Sequence, residues 1–300
     1  MASPAVATGQ WAERRRRAEH LAGRWPFAAE VLTFYGALLG AQERVYEAAQ
    51  ALPHAQLSDP SRVAAYVAER ALIPVRDVSV ARGPEKLARA VADLARGVDG
   101  STGRWEENVR RWLGEGELSP VDRYLVRAAA GPVLEALGPA ATAVCAGPPD
   151  ERHCPRCGGR PQVSVFAPTE ESLVAPRRYL ECSRCAHRWA FPRLTCAACG
   201  ETESRRLPIH AEEGATASEA AGTVVRGVDG ARRGPAAGPA PLLAHVSIHA
   251  CTTCSRYLLN VDLSREPLAV PVVDEMAAIP LDLYAREQGV AKIVPNLMGL

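Results

Sequence analysis

Apolar side chains in the first half of the chain recur at three-, four- and seven-residue steps, the period of a helix with one buried face. In PFAAEVLTFYGALLGAQERVYEAAQAL, Phe27, Val31, Phe34, Leu38 and Val45 mark such a face. Pro26 suits the first turn, where its missing N–H costs nothing. SDPSRVAAYVAERAL begins in the same way, with Asp59 as N-cap before Pro60. In SPVDRYLVRAAAGPVLEAL, Ser119 is the cap, Pro120 the first helical residue and Asp122 the capping-box partner. PEKLARAVADLARGV and RWEENVRRWLGEG supply two shorter helices. Roughly five or six helices with short polar links predict an all-α domain over residues 1–150.

The pattern changes at CAGPPDERHC. Beyond Cys154 the helical period stops, and short β-rich segments such as RPQVSVF and AHVSIHA follow, punctuated by Gly, Pro, Arg and Cys. Residues 211–241 are mostly Ala, Gly and Pro, with too few apolar groups to offset the cost of ordering, and read as a mobile insertion. IPLDLYAREQGVAKIVPNLMGL closes the chain as a short helix and an extended tail.

Charge adds little to this picture. Thirty-five Lys and Arg against 34 Asp and Glu give a formal net charge of +1, which supplies no global drive toward nucleic acid or membrane. WAERRRRAEH reads as a solvated helix face, and without an apolar core behind it there is no signal peptide. AAAGPVLEALGPAATAVCAG, residues 128–147, carries Glu135, Pro132 and Pro139 and reads as a buried helix rather than a membrane span. A cytoplasmic protein is expected.

The chemistry is in the cysteines. Eight of the nine form four C-x-x-C pairs: Cys154 and Cys157, Cys182 and Cys185, Cys196 and Cys199, Cys251 and Cys254. In a reducing compartment such pairs bind metal or do redox work. A thioredoxin-like site needs one pair at a helix N-terminus, and four pairs set in Gly-rich, β-like sequence do not fit that. Two pairs supply four thiolates, a closed tetrahedral site for zinc or for iron, and spacing does not choose between those metals. Glycine after the second cysteine allows the positive φ that closes such a knuckle, and only Gly158 and Gly200 meet that description.

The 24 residues between Cys157 and Cys182 leave room for a β-hairpin, and the insertion explains the longer gap from Cys199 to Cys251. This predicts sequential pairing: Cys154, Cys157, Cys182 and Cys185 around one ion, and Cys196, Cys199, Cys251 and Cys254 around another. Spacing alone leaves an interleaved pairing open. Cys145 has no partner at ligand spacing and reads as a small buried hydrophobe.

The predicted fold class is α+β, an N-terminal all-α helical domain followed by two tandem rubredoxin-like or zinc-ribbon metal modules. Its expected divisions are a helical domain over 1–150, a first ribbon over 151–190, a second ribbon over 191–264 with the insertion at 211–241, and a C-terminal tail with a short helix over 265–300. Seven arginines between Arg177 and Arg206 can offset thiolate charge, line a solvated face or contact phosphate. Tyr179, Trp189, Phe191 and Tyr257 are the aromatics there, and three of them, Tyr179, Trp189 and Tyr257, are candidate partner anchors. Ribbon core is the plainer role for each. The alternative reading is therefore a zinc-ribbon nucleic-acid-binding protein.

CPRCGGRPQVSVF, RRYLECSRCAHRWAFPRLTCAACG, CTTCSRYLLNVDL, LDLYAREQGV and PNLMGL resemble, in that order, the FdhE family of formate dehydrogenase accessory proteins. The resemblance is strongest from Cys154 to Asp262. It implies a cytoplasmic, rubredoxin-like maturation factor, not an enzyme, that contacts the molybdenum-containing catalytic subunit of a formate dehydrogenase before export. It further implies two metal ions per chain, iron favoured and zinc possible, with the eight paired cysteines as ligands and no membrane segment.

Overall fold

The computed structural model describes residues 4–96, 101–168, 176–212, 215 and 241–299. Apart from 211, 212, 215 and 241, the insertion expected at 211–241 lies outside the described residues. The chain divides into two compact units, one of residues 1–159 with 182–187, the other of 160–181 with 188–300.

The helical part of the first unit contains α1 (Pro4–Arg24), α2 (Ala29–Gln50), α3 (Pro60–Tyr66), α4 (Leu72–Arg82), α5 (Glu85–Arg96), α6 (Thr102–Leu113) and α7 (Pro120–Leu137). These are seven α-helices among the described residues, where the sequence pattern suggested five or six. α2 is central and packs on α1, α4 and α7. Ala128, Ala129 and Ala130 on α7 are fully buried, and such small side chains permit close helix approach. That closeness lets Gln42 on α2 donate to the Ala128 carbonyl at 2.8 Å. Both expected caps form: Asp59 accepts from Arg62 N at 3.0 Å, and the Ser119 hydroxyl from Asp122 N at 3.2 Å. The Asp122 carboxylate accepts a hydrogen bond from the Ser119 hydroxyl at 2.8 Å and is held from the side by Arg104.

Two expectations in this unit need correction. Phe34, Leu38 and Val45 are buried as expected, but Phe27, which precedes α2, is 45% exposed and Val31 half-buried, and the buried stripe is completed instead by Leu32, Tyr35 and Leu39. The arginine run is also not uniformly solvated. Arg14 shares the inward stripe of α1 with Trp11, Ala18 and Leu21, bonds Glu135 at 3.0 Å, and stacks on the Trp11 ring. Arg17 is buried as well, while Arg15 and Arg16 face solvent. No helix of the described residues is long and apolar enough to cross a membrane.

The second unit is built on one mixed sheet. Its strands are β1 (Pro161–Ala167), β2 (Arg177–Cys182), β3 (Arg188–Ala190), β4 (Ile209–Ala211), β5 (Val246–Cys251), β6 (Arg256–Asp262) and β7 (Ala291–Lys292). The order is β3-β2-β1-β6-β5-β4, with β7 also on β6. Two antiparallel hairpins, β2–β3 and β5–β6, carry the later cysteine pair of each group. They are joined because β1 pairs in parallel with β6, Ser164 opposite Asn260 and Phe166 opposite Asp262. β1 and β6 are accordingly buried on both faces, whereas β5 alternates, with Val246, Ile248 and Ala250 inward.

Helices α8 (Pro271–Ala277) and α9 (Ile279–Glu287) follow β6, and α8 packs on β1 and β6. The α+β order expected from sequence, helices first and then a sheet region with two four-cysteine groups, is the observed one. The sequence did not show that the two hairpins share one sheet.

Candidate metal centres

The structure gathers the eight paired cysteines into two groups, Cys154, Cys157, Cys182 and Cys185, and Cys196, Cys199, Cys251 and Cys254. Within each, all four sulfurs lie within 4.8 Å of one another. This is the sequential arrangement. None of the cysteines is in a disulfide.

Local backbone geometry aims each pair. Gly158 and Gly200 follow the second cysteine of their pairs with φ of 68° and 82°, as the glycine pattern indicated. Ala186 and Ser255 occupy the same place in the other two pairs with φ of 52° and 54°. All four turns therefore have the same left-handed closure, two of them at non-glycine residues. Gly158 is also sterically required, since a Cβ there would meet the Ala146 carbonyl oxygen at 2.7 Å.

The turns point N–H groups at sulfur. Arg184 N reaches Cys182 Sγ at 3.3 Å and Ala198 N reaches Cys196 Sγ at 3.4 Å. The N–H groups of Thr253 and Cys254 similarly favour a Cys251 thiolate. In the first group, Cys154 and Cys185 are 3.6 Å apart and Cys157 and Cys182 3.4 Å. In the second, Cys196 and Cys254 are 3.8 Å apart and Cys199 and Cys251 3.7 Å. A tetrahedron of sulfurs about 2.3 Å from a central ion has an edge of about 3.8 Å, so both sets fit a four-thiolate metal site.

The thiols themselves call for a cation. Hydrogen bonds from Cys157, Cys182 and Cys185 hold the Cys154 thiol well below its ordinary value, while burial pushes Cys182 up. Burial likewise raises Cys196 and Cys254. Four such groups in contact cannot all ionise unless a positive charge sits among them. Each group can thus hold one metal ion. Four protein sulfurs would close its coordination and leave no position for a substrate.

The groups differ in their settings. In the first, all four cysteines are buried, and the turn 182–187 is tied to helices of its own unit. Arg184 donates to the Trp112 and Leu113 carbonyls at 2.7 and 3.2 Å and stacks on Trp112, and Arg127 donates to the Ser183 carbonyl at 3.2 Å. In the second, Cys196 and Cys251 are buried, Cys199 is exposed and Cys254 half-buried. Its outer turn is held by Thr252 N on the Arg206 carbonyl at 2.9 Å and Thr253 Oγ1 on Glu201 at 2.6 Å, at the surface.

The arginines around these groups are mostly engaged within the chain. Arg178 is buried, Arg184 is tied to α6, and Arg188 pairs with Glu181 at 2.6 Å. Arg193 donates to the Pro176 carbonyl and lies over Phe166, and Arg205 and Arg206 pair with Glu203.

Of the candidate anchors, Tyr257 is fully buried, its hydroxyl donating to Asp282 at 2.7 Å. Trp189 packs on a small core of Leu180, Phe191, Ala197 and Leu258, and Tyr179 is half-buried. The scarcity of apolar residues draws these rings inward. Cys145 is buried, its thiol pushed up to about 12 chiefly by burial.

Residues 153–193, which include the whole first group, match the family model for the FdhE central domain. A protein named FdhE homolog from Aquifex aeolicus is 32% identical over 149 residues, 50% of this chain and 42% of that one. One from Pseudomonas putida is 28% identical over 146 residues, 49% of this chain and 38% of that one. The match thus spans about two-fifths of the length of these curated relatives. The crystal structure of the FdhE protein from Pseudomonas aeruginosa shares the fold, with a TM-score of 0.63 at 22% identity over 97% of this chain and 95% of that one.

Proposed function

We propose that the chain is a member of the FdhE family and acts as a formate dehydrogenase accessory protein, a reading supported by the match of residues 153–193 to the FdhE central domain and by the fold shared with the FdhE protein from Pseudomonas aeruginosa. On this reading it acts in the cytoplasm and without catalysis, binding the immature catalytic subunit of a formate dehydrogenase during maturation. The observation that carries the reading is the pair of closed four-sulfur groups built into this fold. Cys154, Cys157, Cys182 and Cys185 hold one ion, and Cys196, Cys199, Cys251 and Cys254 the other. A closed site gives its surroundings a fixed shape rather than an open reaction centre, which suits a protein that works through its surface. The family resemblance favours iron, and zinc fits the sulfur geometry equally well.

The test is a pull-down of the formate dehydrogenase catalytic subunit from cells, comparing wild type with Cys182→Ser/Cys185→Ser. Wild type should capture the subunit and the variant should not, since ligand loss unfolds the turn it organises. Deletion of the gene should abolish formate dehydrogenase activity. Equal capture by both proteins, or intact activity after deletion, would sink the proposal. Capture of RNA or DNA with a steep salt dependence would instead favour the nucleic-acid reading.

A further inference from the structure

The two four-cysteine groups have the same ligand chemistry but different protection. We propose that the second group is a metal-exchange site, which surrenders its ion to competing thiolate or chelating ligands, while the first group releases its ion at least tenfold more slowly. This rests on the reading that both groups bind metal.

Replacement at a closed tetrahedral site begins when an incoming donor reaches the ion or when one sulfur leaves. Either step needs a ligand that water and the competitor can touch. In the first group, Cys154 and Cys157 are 0% exposed and Cys182 and Cys185 3% each. Opening it means moving the turn 182–187, and that turn is bolted down. The Arg184 side chain lies so close over Gly159 that a Cβ there would meet it at 2.8 Å, and its guanidinium ends on the carbonyls of Trp112 and Leu113. On the other side, Gly131 of α7 leaves only enough space for the Arg184 backbone, since a Cβ there would sit 3.3 Å from its carbonyl oxygen. A sulfur cannot swing out of the first group without disturbing buried helix packing.

The second group has an open side. Cys199 and Cys254 are the incompletely covered cysteines of this group, and they belong to different turns, so each chain segment brings one of them to the site. Beyond the β5–β6 pairing at Cys251, the Cys251–Cys254 turn is restrained by the backbone N–H and hydroxyl of Thr252 on the Arg206 carbonyl and by the Thr253 hydroxyl on Glu201, all at exposed residues where water can compete. Exchange is then a stepwise ligand substitution. A donor atom of the competitor bonds to the ion, the bond from the ion to Cys199 Sγ breaks, and the released thiolate takes a proton from water. The oxidation state of the ion does not change. Cys254 follows, and the buried Cys196 and Cys251 leave last.

The experiment uses the full chain loaded with zinc to two ions per chain, confirmed by elemental analysis, and challenged with the chromogenic chelator 4-(2-pyridylazo)resorcinol. Release should be biphasic, one ion per chain in a phase at least tenfold faster than the other. Iodoacetamide added after the fast phase should label Cys199 and Cys254 and spare Cys154 and Cys157, as read by peptide mass spectrometry. Cys199→Ser should remove the fast phase. Arg184→Ala, which leaves every ligand in place, should accelerate only the slow phase. Release of both ions at one rate, or labelling of the first group before the second, would overturn the proposal. A loaded protein that never reaches two ions would instead overturn the two-site reading beneath it.

Discussion

Arg178 Nη1 donates to the carbonyl oxygen of Thr195 at 2.8 Å, one residue ahead of Cys196. The same nitrogen reaches the carbonyls of Pro192 and Arg193 at 3.0 and 3.3 Å, and Nε donates to Ser164 Oγ at 2.9 Å. Arg178 stands on β2, four residues before Cys182, so one buried guanidinium links the strand that leads into the first group to the loop that leads into the second. Burial lowers its pKa to about 10, which still leaves it charged at neutral pH.

Arg178→Met should therefore strip the loop 192–195 of its common donor and lower stability by ~3 kcal/mol or more, since bonds to a charged group are worth ~1.5–3 kcal/mol each. Arg178→Lys keeps the charge but not the planar fork, and should recover little. Elemental analysis should find metal lost at the second group, with the first retained. Full retention of two ions in Arg178→Met would contradict the link.

The four turns offer a graded series. Ala186 and Ser255 hold a left-handed backbone that costs an L-residue ~1–2 kcal/mol, so Ala186→Gly and Ser255→Gly should stabilise the metal-loaded protein by up to ~1 kcal/mol. The reverse changes should differ from each other. At Gly200 an added Cβ meets nothing within 4 Å and only the strain is felt, whereas at Gly158 it strikes the Ala146 carbonyl. Urea midpoints should therefore fall further for Gly158→Ala than for Gly200→Ala. Equal midpoints would show that the turn, and not the Ala146 contact, sets the requirement.

These turns also show what the sequence could and could not reveal. Local chemistry was legible: the C-x-x-C spacing, the caps Asp59 and Ser119, and the β-branched alternation of β5 each depend on neighbours in the chain. Ala186 and Ser255 escaped because a positive φ at a non-glycine residue leaves no composition signal. Arg14 and Arg17 escaped because a run of four arginines looks solvated until α7 supplies Glu135 to receive one of them. The shared sheet escaped because β1 pairs with β6 across about a hundred residues, and parallel pairing carries no turn signature.

Alkali should act on the helical unit through Tyr124. Its hydroxyl is buried 2.7 Å from Ser79 Oγ, and burial pushes its pKa from 10 up to about 12, with the Ser79 bond opposing. The neutral phenol is the form the folded state prefers. Its contribution is thus whole below pH ~10, where the unfolded phenol begins to ionise, and is lost as pH rises toward ~12. The loss should approach ~2–3 kcal/mol at one residue. Thermal midpoints measured between pH 9 and 12 should fall more steeply for wild type than for Tyr124→Phe. Parallel curves would mean the phenol ionises as freely folded as unfolded.

Lys292 on β7 is buried between two carboxylates. It pairs with Glu275 of α8 and, at 3.0 Å, with Asp282 of α9, which also accepts the Tyr257 hydroxyl of β6. Gln162 of β1 donates to the same Glu275 oxygen at 3.1 Å. The cluster draws on five elements separated by up to 130 residues in sequence, and fastens the C-terminal segment to the sheet whose β5–β6 hairpin carries Cys251 and Cys254. Taking one partner from a buried ion pair leaves an uncompensated charge and costs ~3–5 kcal/mol, whereas removing the charge of all three groups together strands none. Lys292→Met alone should therefore lower the urea midpoint strongly. Lys292→Met combined with Glu275→Gln and Asp282→Asn should recover most of that loss, and both variants should keep the metal of the first group. A triple variant no more stable than Lys292→Met would mean that the lysine acts through its packing rather than its charge.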